Sequence, residues 1–135
     1  MQNTNIKNQD RFRQKVIFDK LKGPAGTDLD YVCDVRGKGF IYAELKCEGT
    51  RITKGQEILA ENIVKNCKLP SFFLLLNHTT EPTEDIIIGD AIVNTIWMSF
   101  GSGDYHKSTR SRGRPFKEVK PEIEKLIHDR AKGIR

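Results

Sequence analysis

Acidic and basic side chains recur in two neighbouring segments in the first half of the chain, in a pattern that suits metal-assisted hydrolysis. Asp28 and Asp30 lie two positions apart, and so do Glu44 and Lys46. Residues two apart on a β-strand point to the same face, so each pair would project together. Clustered carboxylates repel one another unless a cation lies among them, and Mg²⁺ typically takes one or two carboxylates plus phosphate oxygens. A neighbouring ammonium would then orient an attacking water or neutralise charge on the phosphate.

The segments that carry these residues predict a β-hairpin. Residues 26–35 and 40–46 are rich in β-branched and aromatic side chains, and the turn between them contains two glycines. Asp30 is predicted to lie deeper in the first strand than Asp28, so we expect Asp30 to be the principal acid. Asp34 would project from the same face of the strand as Asp28 and Asp30, but it lies near the turn. We therefore interpret it as an acid on the surface of the turn.

At these residues the chain resembles the PD-(D/E)xK nuclease superfamily. The resemblance rests on Asp30 or Asp28, then on Glu44-Leu45-Lys46 and a supporting Gln56, and it covers residues 26–77. Thr-Asp or Leu-Asp stands where the family name has Pro-Asp. The resemblance implies a mixed β-sheet flanked by helices in a restriction-endonuclease-like αβββαβ core, and a metal-dependent DNA endonuclease. It also implies that Asp30, Glu44 and Asp28 bind Mg²⁺, or Mn²⁺ in its place, while Lys46 assists the attacking water.

A helix is predicted directly after the hairpin. Thr53 is a suitable N-cap, and Gln56 three residues later completes a capping-box pattern. This structural role explains Gln56 without any chemistry. In the alternative interpretation its amide contacts the metal-bound water or the DNA backbone. Arg51 and Lys54 lie around the helix start, where cations and backbone N–H groups can meet a phosphate.

The remaining segments predict the other parts of an α/β fold. Residues 10–21 predict a first helix, with a short strand as the alternative. The apolar run 70–77 predicts a strand buried on both faces, which implies a crossover to a mixed sheet. Residues 85–100 predict one or two further strands, with Trp97 in the core. A last helix is predicted over 121–132, with its proline in the first turn.

The segment 101–116 predicts a polar, basic loop that contacts phosphates. Within it, Arg112-Gly113-Arg114-Pro115 matches the core of the AT-hook, which lies in the narrow minor groove of A·T-rich DNA. The alternative is a mobile basic loop that only follows phosphates. Glu118-Val119-Lys120 is a second E-x-K, but no buried strand is predicted there, so no catalytic role is assigned to it. The predicted nucleic-acid-binding residues are Arg51, Lys54, Lys107, Arg110, Arg112, Arg114 and Lys117.

Length and composition predict one domain spanning residues 1–135, long enough to bury a core. The net charge of +5 favours a polyanionic partner. Cys33, Cys47 and Cys67 lack C-x-x-C spacing and predict neither a disulfide framework nor a zinc site. No apolar run approaches the roughly 20 residues of a membrane span, and the first residues are too polar for a secretion signal. A cytoplasmic location is therefore expected.

Three functions remain open at this stage. A DNA endonuclease is favoured, because the family resemblance implies this activity and the basic segment suits binding to DNA. A non-catalytic DNA-binding module would use the basic segment 106–120 alone. An RNA-directed nuclease would share the acids but prefer a substrate that contains ribose. The resemblance also implies that two copies can act as a homodimer to cut both strands, and a stand-alone nuclease of this size fits a phage or mobile element.

Overall fold

A mixed five-stranded β-sheet with one helix on each face forms the described part of the protein. The computed structural model describes residues 29–101, 103–109 and 113–132. The strands lie in the order β1-β2-β3-β4-β5. Strands β2 and β3 run parallel, and the other neighbouring pairs are antiparallel. The elements are β1 Tyr31–Asp34, β2 Phe40–Cys47, α1 Lys54–Asn66, β3 Ser71–His78, β4 Ile92–Ser99, β5 His106–Thr109 and α2 Phe116–Ala131.

The predicted hairpin is confirmed as β1 and β2, with Tyr31 opposite Ala43. Arg36 and Gly37 take positive φ angles of 52° and 72° in the turn. The exposed Asp34 accepts a hydrogen bond from the backbone N–H of Gly37 at 2.7 Å, which agrees with its interpretation as a turn acid. The predicted start of the first strand is wrong for Asp30, because β1 begins one residue later and Asp30 forms a bend before it.

Helix α1 connects the parallel strands β2 and β3, as the crossover prediction requires. Its Ala60 and Val64 pack on Phe73 and Trp97 on one face of the sheet. Trp97 is 1% exposed, which confirms its place in the core. The capping box is also confirmed, since Thr53 and Gln56 exchange hydrogen bonds between side chain and backbone.

Helix α2 covers the opposite face of the sheet, where Phe116, Ile123 and Ile127 are buried. It begins at Phe116, five residues before the predicted start, so Pro121 lies inside the helix and not in its first turn. The prediction of a loop over 101–116 is also wrong in part, because β5 pairs with β4 within this segment and α2 begins at Phe116. All four residues of β5 are exposed, so no alternation of apolar and polar residues marks this strand.

The predicted helix over 10–21, and the strand weighed as its alternative, lie outside the described residues. The described part contains two strands before α1 and three after it. The mixed sheet with flanking helices is therefore as expected, whereas the first elements of the αβββαβ order fall in the undescribed part. No helix among the described residues is long and apolar enough to cross a membrane.

Candidate functional site

Glu44 and Lys46 project from β2 on the face that α1 covers. Both lie in the second half of β2, where Glu44 is opposite Leu75 and Lys46 is opposite Asn77 of the parallel strand β3. In α/β sheets, ligands bind at the carboxyl ends of the parallel strands, which here lie beside the start of α1. Glu44 is only 7% exposed, and Lys46 Nζ lies 3.7 Å from its Oε1. The predicted pair thus forms a half-buried ion pair at the edge expected for a ligand site.

Gln56 joins this pair to the first turn of α1. Its Nε2 donates a hydrogen bond to Glu44 Oε1 at 3.1 Å, while its Oε1 accepts from the backbone N–H of Thr53 at 3.2 Å. The two interpretations of Gln56 are therefore not alternatives, because the same amide completes the cap and contacts a predicted acid. A carboxylate removed from water needs such a donor, since burial without partners is costly.

Asp30 lies beside Glu44 on the neighbouring chain segment. The antiparallel register pairs Tyr31 with Ala43, and continuing it by one residue places Asp30 opposite Glu44. Its Oδ2 accepts a hydrogen bond of 2.7 Å from the backbone N–H of Leu45, the residue between Glu44 and Lys46. Asp30 thus fixes the β2 backbone between the two site residues, and its second carboxylate oxygen makes no recorded hydrogen bond within the described part. Asp28, the alternative acid, lies outside the described residues.

The acids that are described fit a magnesium site completed by substrate. Within residues 29–101, 103–109 and 113–132, the structure has no group of three or more His, Cys, Asp or Glu placed to hold a metal ion. Asp30 and Glu44 supply two carboxylates at adjoining positions. One or two carboxylates with phosphate oxygens and water are what Mg²⁺ commonly takes, in contrast to a site enclosed by protein. The donor chemistry is therefore compatible with this ion.

A cleft of about 620 Å³ lies next to this pair, between the β2–α1 connection and strands β3 and β4. Arg51 and Lys54, both predicted to bind nucleic acid, are exposed residues of its lining. Asn77, Asn94 and Thr95 line it from the sheet. The site thus combines a buried acid, an ammonium and an adjoining groove whose lining includes two exposed cations and the carboxylate of Glu57, which is paired with Lys107.

Cations of the predicted basic segment 106–120 form ion pairs with acidic side chains of the chain itself. Lys107 Nζ contacts Glu57 at 2.8 Å and lowers the pKa of that carboxyl group. Lys117 contacts Asp90 at 2.8 Å, which raises the pKa of the lysine. Arg114 pairs with acids of α2, mainly Glu122, and its pKa is raised. Exposed pairs of this kind contribute little to stability because solvent screens them, so a phosphate can replace the acid. Arg110 and Arg112 lie outside the described residues.

The AT-hook interpretation is not supported by the described part of the motif. The carbonyl of Arg114 accepts from Val93 N–H at 2.9 Å, and Pro115 forms a β-bridge with Ile92. A Cβ on Gly113 would lie 2.1 Å from the Val93 carbonyl oxygen, so this backbone packs directly on β4. The prediction of a mobile loop is thus wrong at residues 113–115, where the chain is held against the sheet.

The polar residues of the cleft carry no signal in the sequence that marks them as site residues. Asn77 ends a predicted buried strand, and Asn94 and Thr95 lie within the predicted strands of 85–100. The register between β3 and β4 shifts at Leu75/Leu76, so that Asn94 has no partner in the ladder and occupies a β-bulge. Bulges often lie beside active sites, where they redirect a side chain. A run of strand residues does not reveal this shift, because it depends on the partner strand.

Comparison of the chain with protein-family models, curated proteins and solved structures finds no match. The assignment of function therefore rests on the geometry of the site and on the residues that carry the family resemblance.

Proposed function

We propose that the protein is a metal-dependent DNA endonuclease whose reaction centre contains Glu44, Lys46 and Asp30. The observation that carries this proposal is the position of Glu44, a carboxylate that is only 7% exposed and whose register partner on β3, Leu75, lines the cleft. Its oxygen Oε1 lies 3.1 Å from the Gln56 amide and 3.7 Å from the Lys46 ammonium. The neutral amide of Gln56 positions this buried carboxylate beside Asp30, so two carboxylates of the kind that Mg²⁺ accepts adjoin at one edge of the sheet.

Each residue has a distinct role in this proposal. Asp30 and Glu44 would hold Mg²⁺, which when bound supplies charge stabilisation on the phosphate and lowers the pKa of a coordinated water. Lys46 would bind a phosphate oxygen and orient the attacking water. Gln56 would position Glu44 by its hydrogen bond. Asp28 stays a predicted third acid.

Arg51 and Lys54 would bind the DNA backbone on either side of the reacting phosphate. Both are exposed at the cleft beside the N-terminus of α1, and neither has a recorded ion pair with another described residue. Lys107, Arg114 and Lys117 would contact DNA only after their ion pairs with acidic side chains break. The phosphate contacts expected of Arg51 and Lys54 therefore rank above those of the basic segment.

The non-catalytic DNA-binding module is the second candidate, because the cations of 106–120 favour a polyanionic partner. Lys107, Arg114 and Lys117 have acidic partners, which phosphates would replace on binding. The RNA-directed nuclease differs from the favoured function only in its substrate. Homodimer formation, and an origin in a phage or mobile element, stay predictions.

The proposal is tested by incubating purified protein with supercoiled plasmid DNA and with a matched single-stranded RNA. Each substrate is incubated with Mg²⁺, with Mn²⁺ and with EDTA. The proposed function predicts nicking of DNA in both metals and none in EDTA. Intact DNA in every lane, with gel-shift binding that EDTA does not change, would instead indicate a DNA-binding module. Cleavage confined to RNA would indicate the RNA-directed enzyme.

A further inference from the structure

The cleft beside Glu44 is one strand away from the proposed reaction centre. Leu75 is the register partner of Glu44 and Asn77 is that of Lys46, and both partners line the cleft. Neighbouring strands lie about 4.8 Å apart, so a group in the cleft lies next to anything bound at Glu44. A phosphodiester at Glu44 therefore has its adjoining nucleoside within reach of this cleft.

The lining of the cleft combines apolar and amide groups with charged side chains of both signs. Leu75 and Ile52 provide apolar surface, whereas Asn77, Asn94 and Thr95 provide hydrogen-bonding groups. A nucleobase has flat apolar faces and a polar edge of donors and acceptors, which a carboxamide can contact with both its oxygen and its nitrogen. The volume of about 620 Å³ falls within the range of roughly 300–1,000 Å³ common for small-ligand sites.

The two carboxamides of the cleft have hydrogen-bonding capacity to spare. Asn94 Oδ1 accepts a hydrogen bond of 2.7 Å from the Thr95 hydroxyl, and this bond orients the amide at the bulge. Its nitrogen has no recorded partner among the described residues. Asn77 is half-buried, and its carboxamide makes no recorded hydrogen bond to another described side chain or backbone group. Half-buried amides of this kind favour a polar ligand edge.

We propose that this cleft binds an unpaired nucleotide next to the reacting phosphate. The inference rests on the proposed function. It specifies the substrate as DNA that has an unpaired or frayed nucleotide at the cleavage site. A base stacked inside a duplex cannot enter a cleft in the protein, and extruding it opposes binding because stacking and pairing are lost. A base that is already unpaired avoids most of this cost. Asn77 and Asn94 contact the base edge, while Arg51 and Lys54 bind the flanking phosphates.

Binding in EDTA tests this inference without cleavage. Fluorescence anisotropy measures the affinity for three DNAs of one sequence: a full duplex, the duplex with one unpaired central nucleotide, and the duplex with an abasic unit at that position. We expect the unpaired nucleotide to strengthen binding at least about tenfold over the full duplex, because the extrusion cost is removed. The abasic DNA has the same flexible backbone without the base, so it should lose most of this gain.

Two variants locate the effect in the cleft. Asn77→Ala should abolish most of the preference for the unpaired nucleotide. Asn62→Ala, on the exposed surface of α1 away from the cleft lining, should keep it. Circular dichroism of both variants checks that the fold is retained. Equal affinity for paired and unpaired DNA, equal affinity for abasic and base-bearing DNA, or an unchanged preference in Asn77→Ala would overturn the inference.

Plasmid nicking with Mg²⁺ on the same preparations separates the two proposals. Nicking without a preference for unpaired nucleotides would reject the role of the cleft and leave the nuclease in place. A preference that depends on Asn77, without nicking of any DNA, would support the nucleotide cleft and reject the proposed hydrolysis.

Discussion

The side-chain amide of Gln56 donates a hydrogen bond of 3.1 Å to the carboxylate of Glu44, and so joins the first turn of α1 to strand β2. The same amide accepts from the N–H of Thr53 as part of the capping box. Helix capping and the position of the buried acid therefore depend on one side chain. A change in the cap alone and a change in the contact to Glu44 can be separated by mutation.

Thr53→Ala and Gln56→Ala should lower stability similarly but differ in their effect on cleavage. Loss of the Thr53 cap should cost about 1 kcal/mol of unfolding free energy, measured by urea denaturation. Gln56→Ala should cost a similar amount and also lower cleavage at least about tenfold, because a hydrogen bond to a charged group is worth roughly 1.5–3 kcal/mol. Equal cleavage by the two variants would show that Gln56 acts only as a cap.

Asp30→Asn should separate the structural and metal-binding roles of this acid. The amide oxygen can still accept from the Leu45 N–H, so we expect a loss of less than about 1 kcal/mol in stability. Loss of the charge should weaken Mn²⁺ binding at least about tenfold in isothermal titration calorimetry. Asp34→Asn is the matched control, because Asp34 accepts a backbone N–H of the turn in the same way. Wild-type affinity in Asp30→Asn would favour Asp28 as the main ligand.

Gly113→Ala should destabilise the protein, because the added Cβ would lie 2.1 Å from the Val93 carbonyl oxygen. We expect a loss of about 1–3 kcal/mol, as for other overpacked sites. Gly55→Ala is the control in α1, where a Cβ meets nothing within 4 Å. It should raise stability by up to about 1 kcal/mol through helix propensity. Thermal denaturation that is unchanged in Gly113→Ala would contradict the packing of residues 113–115 on β4.

Stability should fall at alkaline pH, in part through Tyr42. Its ring stacks on Phe73 with centroids 6.2 Å apart, and burial raises its pKa above the ordinary value of 10.0. The folded chain then holds this proton more strongly than the unfolded chain. The contribution is fully present below pH 10.0 and is lost as the pH rises through the folded-state pKa. Urea midpoints measured from about pH 9 to 11 should decline less in Tyr42→Phe. An identical decline would assign the effect to other groups.

Local patterns predicted the hairpin, α1 and β3 because each carries its own signal. Two glycines mark the turn, Thr53 and Gln56 mark the helix start, and an apolar run marks the buried strand. Strand β5 has only exposed residues, so no such signal exists. The start of α2 was missed because Pro115 precedes it without a side-chain cap and Pro121 indicated a later first turn.

Some features of the candidate site can likewise be predicted from the sequence, whereas others depend on the fold. The alternation of side chains along a strand is enough to predict that Glu44 and Lys46 share one face, and the spacing from Thr53 is enough to predict the cap role of Gln56. The hydrogen bond from Leu45 to Asp30 and the bulge at Asn94 both depend on the pairing of strands. Contacts set by a partner strand leave no pattern within one segment, so neither the bend at Asp30 nor the cleft can be predicted from the sequence.

The second E-x-K of the chain provides an internal control for the central claim. Glu118 and Lys120 lie on α2, where residues two apart do not face each other, and they pair with Arg114 and Glu124 instead. Glu118→Gln therefore makes the same chemical change as Glu44→Gln away from the proposed reaction centre. Both variants should remain folded by circular dichroism.

The most direct measurement is the rate of Mg²⁺-dependent nicking of supercoiled plasmid by the wild-type protein, Glu44→Gln and Glu118→Gln. We predict that Glu44→Gln lowers the rate at least about a hundredfold, because a metal-binding charge is lost, and that Glu118→Gln nicks at the wild-type rate. Nicking by Glu44→Gln at the wild-type rate would contradict the assignment of the reaction to this site.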